Sequence, residues 1–303
     1  MAPIDPEAPV DLHTHTTASD GTCCPRELVE RARRRGLAAV AITDHDTVAA
    51  VPEAEEAGRA LGVEAVAGLE VSAHYRPATP VVGGVLHILG YLIDPGDEAL
   101  QRALAWVQER RRERNPEMIR RLRDLGIDLS LDEVVAQVGG PTGHAGPPTG
   151  MLIGRPHIAR ALVERGVVSS VNEAFQRYLR QGGPAYVEKE KLAPRAAIGV
   201  IRGAGGIAVL AHPAQLGLDA DSLEQEVLAL VADGIEGIEC YYPSHTPQQA
   251  AHYVELARRF GLAVTGGSDY HGDAKPGGLA EIGPTTVPYR LLEALRVRAA
   301  TRR

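Results

Sequence analysis

Two histidines in the N-terminal stretch DLHTHTTASDG, residues 11–21, stand two positions apart and are followed by an aspartate. In a strand, residues i and i+2 point to the same face, so His13 and His15 would emerge side by side, with Asp20 reaching over them from the next turn. Neutral imidazole and carboxylate together form the ligand set of Zn, Mn or Fe. The stretch therefore predicts a metal site.

Comparable residues follow the other apolar, strand-like runs of the chain. They are Asp44, His45 and Asp46 in TDHDT, Glu70 in GLEVS, His87 in VLHILGY, His212 in LAHP, and Asp269 and His271 in GSDYH. Any one of them alone is better explained as a capping, core or solvated loop residue. Together with the first stretch, six histidines and three carboxylates would meet on one face of the fold. Because nine ligands exceed what one ion binds, we expect two or three clustered divalent ions that share a bridging carboxylate. Asp44 and Asp46 would instead orient His45 or cap the next helix.

The elements that must position these residues alternate between strands and helices. Apolar runs such as AAVAIT, GIAVLAH and LAVTGGSD are separated by helical patterns, and we count about seven strands. This alternation predicts an α/β fold with a largely parallel sheet or barrel. The candidate ligands fall at the C-terminal ends of the strands, which is where α/β barrels build their sites.

Residues 96–195 interrupt this alternation. The segment is helical in pattern, carries the charged run QERRRERNPEMIRRLRDLG, and contains the stretch GGPTGHAGPPTG at 139–150, which is too rich in Gly and Pro for regular structure. We therefore predict a discontinuous metal-binding barrel formed by residues 1–95 and 196–303. The inserted helical subdomain, residues 96–195, would act as a lid over the substrate.

Composition and charge limit the function classes. The 303 residues are 44% hydrophobic but only 4% aromatic, so a sizeable core would consist of Val, Leu, Ile and Ala. The net charge of -7 argues against a broad nucleic-acid surface, although a local site could bind phosphates. Three cysteines predict no disulfide framework, and neither a membrane-spanning run nor a signal peptide is evident. We expect a soluble, cytoplasmic protein with no membrane association and no obligate protein partner.

The motifs DLHTHTTASDGT, ITDHDT, GLEVS, HILGY, AHP and GSDYHG, in this order, resemble those of the polymerase and histidinol phosphatase (PHP) family of metal-dependent phosphoesterases. The resemblance spans nearly the whole chain and implies a distorted seven-stranded, TIM-like (β/α) barrel with a trinuclear site. Carried onto this sequence, it implies His13, His15, Glu70 and Asp269 for the first ion, the bridging Glu70 with His87 and His212 for the second, and Asp20, His45 and His271 for the third.

Two further motifs, GRPHIARAL and GGPAYV, resemble a subgroup that includes nucleoside 3',5'-bisphosphate phosphatases and a 5'-to-3' exoribonuclease. The resemblance implies a small phosphorylated nucleotide as substrate, with hydrolysis of the 3'-phosphate of a nucleoside 3',5'-bisphosphate to leave the 5'-monophosphate. A water bridging two ions would lose a proton near neutral pH and attack phosphorus. One departure from the subgroup is Gly183 before the proline, where a lysine is expected.

Several alternatives remain open from the sequence. They are an exoribonuclease acting on short 5'-phosphorylated RNA, a cyclic-phosphate phosphodiesterase, a histidinol phosphatase, and a non-catalytic metal-binding module. A short closed pocket would favour the bisphosphate, whereas an open groove lined by the arginines of 110–123 would favour RNA. Those arginines are interleaved with glutamates, which is more typical of a solvated helix face.

Candidate substrate contacts come from two places. Arg155 and His157 in GRPHIA would grip a phosphate, with the guanidinium binding in bidentate fashion. His245 in YYPSHT is a candidate general acid or phosphate donor. Helix-start packing for the first two, and helix capping for His245, are the alternatives.

Overall fold

The computed structural model describes residues 4–78, 81, 84–138, 152–272 and 282–302. Eight strands lie in this part of the chain: β1 (Pro9–Asp11), β2 (Ala39–Ile42), β3 (Glu64–Ala73), β4 (Leu86–Tyr91), β5 (Ile207–Leu210), β6 (Gly237–Tyr241), β7 (Ala263–Gly266) and β8 (Val287–Pro288). The helices are α1 (Pro25–Arg34), α2 (Val51–Leu61), α3 (Glu98–Asp124), α4 (Leu131–Val138), α5 (Arg155–Glu164), α6 (Val171–Ala174), α7 (Pro194–Gly203), α8 (Ala220–Asp233), α9 (Pro247–Phe260) and α10 (Tyr289–Thr301). A π-helical turn, Phe175–Leu179, follows α6, and a 3-10 turn, Pro213–Leu216, follows β5.

The strands form one sheet in the order β7-β6-β5-β4-β3-β2-β1-β8. Neighbours are parallel except that β4 is antiparallel to β3 and β5, and β8 is antiparallel to β1. The sheet curls until β7 meets the segment that follows β1. There the Leu12 amide donates to the Gly266 carbonyl at 3.3 Å, and Thr14 forms a parallel bridge with Tyr270. This nearly closed, distorted barrel confirms the predicted fold class, with the two-residue β8 as an addition to the expected strands.

The apolar runs explain why the strands are buried on both sides. Every residue of β2 and β5 is buried, as is typical of parallel strands covered by helices. Alternate residues of β2 face different clusters: Val40 and Ile42 pack with the surrounding helices, whereas Ala39 and Ala41 pack with residues of β1, β5 and α10. The small inner alanines suit the confined barrel interior.

Local signals in the sequence set the helix ends. Helix α9 begins with a capping box, in which Thr246 accepts a hydrogen bond from the Gln249 amide and Gln249 accepts one from the Thr246 amide. Helix α8 is capped by Asp219. Gly234 and Gly261, both left-handed, end the two helices.

Helix α3 connects two hydrophobic clusters. Leu100 and Leu104 near its beginning pack in the cluster that surrounds the barrel, whereas Met118 and Leu122 near its end pack in a separate cluster with Ile158 of α5. The division of the chain at 96–195 and its role as a lid stay predictions. The stretch 139–150 lies outside the described residues. Within the described ranges, no helix combines the length and apolar character needed to cross a bilayer.

The end of β7 approaches the first ligand stretch closely. A Cβ added at Gly267 would lie 2.4 Å from the His13 amide nitrogen and 2.5 Å from the His13 Cβ, whereas one added at Gly199 in α7 has no heavy atom within 4 Å. We expect Gly267→Ala to lower the free energy of unfolding by about 1–3 kcal/mol through overpacking. Gly199→Ala, on an exposed helix face, is expected to raise it by up to about 1 kcal/mol. Urea unfolding midpoints check both, and an unchanged midpoint for Gly267→Ala would contradict this close contact.

Candidate metal centre

The first two candidate ligands lie just beyond β1 in an extended segment. The His15 amide donates to the Tyr270 carbonyl at 2.8 Å, and the Tyr270 amide donates to the His13 carbonyl at 3.4 Å. This pairing places the His13 and His15 rings side by side, with centroids 5.2 Å apart, as the i, i+2 spacing predicted. It also brings Asp269 and His271, which flank Tyr270, to the same place.

Glu70, which is fully buried in β3, lies at the centre of the cluster. Its two carboxylate oxygens contact five imidazoles. Oε1 lies 2.8 Å from His87 Nδ1 and 2.9 Å from His212 Nε2, and Oε2 lies 2.9 Å from His45 Nδ1, 3.4 Å from His15 Nε2 and 3.5 Å from His13 Nε2. One carboxylate therefore adjoins ligand candidates that lie at β4 or shortly after β1, β2 and β5.

The two remaining carboxylates contact imidazoles of the same cluster. Asp269 Oδ1 is 3.1 Å from His15 Nε2 and 3.4 Å from His271 Nδ1. Asp20 Oδ1 is 3.2 Å from His271 Nε2, and its Oδ2 is 3.9 Å from His45 Nε2. All nine residues predicted as ligands thus meet in one cluster.

Strand direction explains how His87 joins them. His87 lies at the beginning of β4, opposite Ser72 of β3, and not at the C-terminal end of a strand as the sequence pattern indicated. Because β4 runs antiparallel to both neighbours, its beginning lies at the edge where β3 and β5 end. The sequence pattern therefore placed His87 in the cluster correctly, but it did so by placing the residue at the wrong end of its strand.

Two ligand candidates have unusual backbone conformations. His212 has φ +26° and Asp269 has φ +51°, a region that residues other than glycine seldom adopt. His212 lies two residues beyond the end of β5 and Asp269 lies three residues beyond the end of β7, in the loops that bring their side chains into the cluster. Such local strain persists where the surrounding structure enforces it, and it concentrates at functional sites.

The cluster has the donor chemistry of a metal site. Within the cluster, six buried side-chain atoms form no well-oriented hydrogen bond with the described residues, although His45 Nδ1 and Glu70 Oε2 lie 2.9 Å apart. They are His13 Nε2, both ring nitrogens of His15, His45 Nδ1, Glu70 Oε2 and His212 Nδ1. Each buried polar atom left unpaired costs roughly 1–3 kcal/mol. Divalent ions would satisfy such atoms, so these residues fit them.

Three subsets place their ligand atoms within 4.8 Å of one another: His15, Asp20, His45 and His271; His13, His15 and Glu70; and His45, Glu70 and His87. These subsets overlap with the three ligand groups that the family resemblance implies, but His15 and His45 each belong to two of them. The assignment of individual residues to individual ions stays a prediction.

Electrostatics favour an ionised carboxylate, and its imidazole neighbours divide into two groups. Burial opposes ionisation of Glu70, but His45 and His87 hold its pKa well below the usual range. Burial lowers the pKa of His15 to about 3, with His271 and His45 adding to the shift, and lowers that of His87 to about 4 despite the attraction of Glu70. Burial opposes the charged forms of His45 and His13 as well, but Glu70 and Asp20 raise the pKa of His45 to about 9. Glu239, Asp269 and Glu70 raise the pKa of His13 well above its ordinary value.

Further carboxylates and a tyrosine hold the candidate ligands in place. Glu239 of β6 accepts a hydrogen bond from the His13 ring at Nδ1 (2.9 Å) and one from the His212 amide (2.7 Å). The Tyr242 hydroxyl donates to Asp269 Oδ2 at 2.6 Å. Neither contact is visible from the spacing of residues in the sequence. Such partners orient ligands and fix which imidazole nitrogen faces the metal.

Two adjoining cavities open at the cluster. The larger, about 300 Å³, is lined on one side by candidate ligands and on the other by Pro156, Val171 and Phe175. The smaller, about 120 Å³, is also lined by Asp20, His45 and His87. Small-molecule pockets are typically about 300–1,000 Å³, so the larger cavity has the size of a small-ligand site.

The three predicted substrate contacts differ in position. Arg155 lines the smaller cavity, with its guanidinium carbon 5.4 Å from the Tyr186 ring centre. The lining described for these two cavities includes neither His157 nor His245. Buried His157 accepts the Gly154 amide at 2.9 Å, and the His245 ring donates from Nδ1 to the Cys240 carbonyl at 3.0 Å. The functional roles of all three stay predictions.

Metal affinity should depend on pH in a defined direction. The raised pKa of His45, about 9, means that its charged form stabilises the metal-free fold below the ordinary pKa of 6.5, and that this contribution is lost as pH rises through 9. An ion must displace that proton, so apparent affinity for Zn²⁺ or Mn²⁺ should rise by up to about tenfold per pH unit between roughly pH 7 and 9. Competition with a chelator of known pH dependence measures this, and calorimetry in two buffers counts the protons released. A pH-independent affinity would contradict coordination by His45.

Comparisons with known proteins agree with this geometry. The family model described as PHP domain matches residues 11–145. A 3',5'-nucleoside bisphosphate phosphatase from Chromobacterium violaceum is 34% identical over 298 residues, which cover 97% of this chain and 99% of the relative. A 5'-3' exoribonuclease from Haemophilus influenzae is 34% identical over 261 residues, which cover 86% of this chain and 89% of the relative.

Similarity extends to solved structures. A crystal structure from Bifidobacterium adolescentis, whose name places it among metal-dependent phosphoesterases, has a TM-score of 0.82 and 34% identity, covering 95% of this chain and 96% of that one. Full-length similarity at this level, together with the histidine and carboxylate cluster at the barrel rim, shows that this chain belongs to the PHP family of metal-dependent phosphoesterases.

Proposed function

We propose that this enzyme removes the 3'-phosphate from nucleoside 3',5'-bisphosphates and releases the 5'-monophosphate. In this reaction a water oxygen forms a bond to phosphorus as the bond from phosphorus to the 3'-oxygen breaks, and the leaving oxygen takes up a proton. The nine clustered side chains would hold two or three divalent ions. Bound ions would supply a positive field for the phosphate and acidify a coordinated water.

One observation carries the choice of a small substrate over RNA: the arginines of 110–123 do not form an open track. Four that point outward pair with acidic residues of the same helix. These pairs are Arg110 with Glu113, Arg112 with Glu109, Arg120 with Glu117 and Asp124, and Arg121 with Glu117. Arg111 and Arg114 instead turn inward and line the smaller cavity, and exposed Arg123 donates to the Leu129 carbonyl at 3.0 Å. Positive charge therefore lines the cavity beside the cluster, whereas most of the arginines on the exposed helix face are paired with carboxylates.

The protein's own residues would bind and orient the nucleotide. Arg155 would donate to a phosphate from the cavity wall, where Phe175 and Tyr186 flank its guanidinium. His157 stays proposed as a substrate contact and His245 as a general acid, although the lining described for the two cavities includes neither. Burial lowers the pKa of His245 and favours the neutral imidazole, so it would act as a general acid only if bound phosphate stabilised its charged form.

The second candidate is 5'-to-3' hydrolysis of short 5'-phosphorylated RNA. It is favoured by the similarity to the Haemophilus influenzae exoribonuclease, which extends over 86% of this chain. Both reactions would use the same cluster and break the bond between phosphorus and a 3'-oxygen. They differ in the released phosphate, which is free in the first reaction and remains attached to the rest of the RNA chain in the second.

A substrate panel tests the proposal. With Mn²⁺ present, we expect adenosine 3',5'-bisphosphate to release phosphate and 5'-monophosphate faster than a 5'-phosphorylated RNA tetramer, a cyclic nucleotide or histidinol phosphate. His87→Ala should lower kcat/KM by roughly a hundredfold or more, since it removes a candidate ligand. His252→Ala, on α9 and away from the cluster, is the matched control and should retain activity.

The products distinguish the candidates. Mononucleotides released from the tetramer at a higher kcat/KM than phosphate from the bisphosphate would replace the proposed reaction with RNA hydrolysis. Absence of turnover of the bisphosphate, in protein shown to contain metal, would overturn the substrate assignment.

A further inference from the structure

Asp20 lies farther along the chain from a strand than any other candidate ligand, nine residues beyond the end of β1. It belongs to a tight turn, residues 16–21, in which the Ser19 and Gly21 amides both donate to the Thr16 carbonyl, at 3.1 and 3.0 Å. Strand pairing therefore does not set the position of its carboxylate. Contacts made by the turn must keep that carboxylate beside the imidazoles of the cluster.

The buried side chain of Asp44 holds this turn on its barrel side. Asp44 Oδ1 accepts hydrogen bonds from the Thr16 amide at 2.8 Å and from the Ser19 hydroxyl at 2.6 Å, and Oδ2 accepts one from the Thr16 hydroxyl at 2.7 Å. A buried carboxylate is tolerated where donors compensate it, and three donors of the turn do so here. These bonds go to the turn, and not to His45 or to the beginning of α2.

The backbone of Asp44 is fixed against the centre of the cluster. Its carbonyl accepts the Glu70 amide at 3.1 Å, and the Asp46 amide donates to the Glu70 carbonyl at 2.9 Å. These two bonds form the parallel bridge between His45 and Glu70. Asp44 therefore joins the turn that carries Asp20 to the segment that carries His45 and to the strand that carries Glu70.

Other contacts hold the backbone of the turn from outside. The Leu152 amide donates to the Ala18 carbonyl at 3.3 Å, Arg160 donates from Nη2 to the Asp20 carbonyl at 3.2 Å, and the Thr22 amide donates to the His271 carbonyl at 3.1 Å. Because these bonds do not involve Asp44, its replacement would loosen the turn without detaching it from the fold. The Asp20 carboxylate would then lose its fixed position next to His45 and His271, which lie 3.9 and 3.2 Å from it.

We propose that Asp44 is a positioning residue for one particular divalent ion, the one that Asp20, His45 and His271 would hold. The inference rests on the proposed function in taking the cluster to bind two or three ions. Asp44 is not itself among the candidate ligands; it acts through the turn, by keeping the Asp20 carboxylate beside the two imidazoles.

The other supporting residues of the cluster serve different ligands. Glu239 binds His13 and His212, and Tyr242 binds Asp269. The supports of the cluster are therefore divided among the ligands, and replacement of Asp44 should empty one ion position while the others stay filled.

Calorimetric titration of matched variants with Mn²⁺ tests the proposal. Asp44→Ala removes the acceptor of all three hydrogen bonds, and we expect the affinity for one ion to fall by about ten- to a hundredfold. Ser19→Ala removes one of the three bonds, and the same ion should bind roughly two- to tenfold more weakly. Asp219→Ala is the control, because Asp219 also accepts a backbone amide, that of Ser222, but does so at the beginning of α8. It should bind Mn²⁺ as the wild-type protein does.

Anomalous diffraction at the manganese edge identifies which ion is lost. In crystals of Asp44→Ala, at a Mn²⁺ concentration that saturates the wild-type protein, the peak nearest Asp20 should be missing and the other peaks should keep their height. A merely destabilising effect on the fold would weaken all the ions together. Thermal unfolding midpoints identify a variant that fails to fold, and Ser19→Ala then carries the same comparison, because it leaves the Asp44 carboxylate and its two bonds to Thr16 in place.

The outcomes separate this inference from the proposed function. Equal weakening of every ion in Asp44→Ala, or wild-type affinity for all of them, would overturn the role of Asp44 while leaving bisphosphate hydrolysis by the wild-type protein intact. Wild-type protein that binds its ions but does not hydrolyse the bisphosphate would overturn the proposed substrate. Selective loss of the ion beside Asp20 would support the role of Asp44 in either case.

Discussion

A fully buried carboxylate surrounded by five imidazoles is the interaction on which the rest of this structure depends. Glu70 has no access to solvent, and both of its oxygens lie within 3.5 Å of histidine nitrogens. A lone buried carboxylate is strongly disfavoured unless cations or hydrogen bonds compensate it. Bound divalent ions would compensate it and the unpaired histidine nitrogens together, which is why so many polar groups can be buried at one end of an otherwise apolar barrel.

The arrangement also explains how an acidic protein can attract phosphate esters. The net charge is -7, yet most exposed arginines of α3 are paired with carboxylates, whereas Arg111 and Arg114 line the cavity beside the cluster. Asp46 links the two regions, because it follows the candidate ligand His45 directly and binds Arg111 and Lys189 from the segment that carries the cations. Local charge therefore decides the chemistry of the site, and net charge is a poor guide to it.

The metal-ligand cluster could be predicted from sequence because its residues are of few types and stand at strand boundaries. The alternation of strands and helices predicted a largely parallel sheet or barrel, and the family resemblance implied the distorted barrel. The apolar run of β4 does not reveal that this strand is antiparallel to its neighbours. That direction is the reason His87, at the beginning of β4, reaches the cluster. The supporting contacts of Glu239 and Tyr242 join segments distant in sequence, so residue spacing does not predict them. The sequence did contain a signal for Lys189 and Lys191, which line the smaller cavity. In VEKEKL they alternate with glutamates, so an extended segment would place both lysine side chains on one face.

The central claim is that the nine side chains around Glu70 hold more than one divalent ion. Anomalous diffraction from crystals of the manganese-loaded protein, collected above and below the manganese edge, tests it most directly. We expect two or three anomalous peaks within coordination distance of Glu70, Asp20, Asp269 and the six histidines. A single peak, or peaks bound only outside this cluster, would contradict the account.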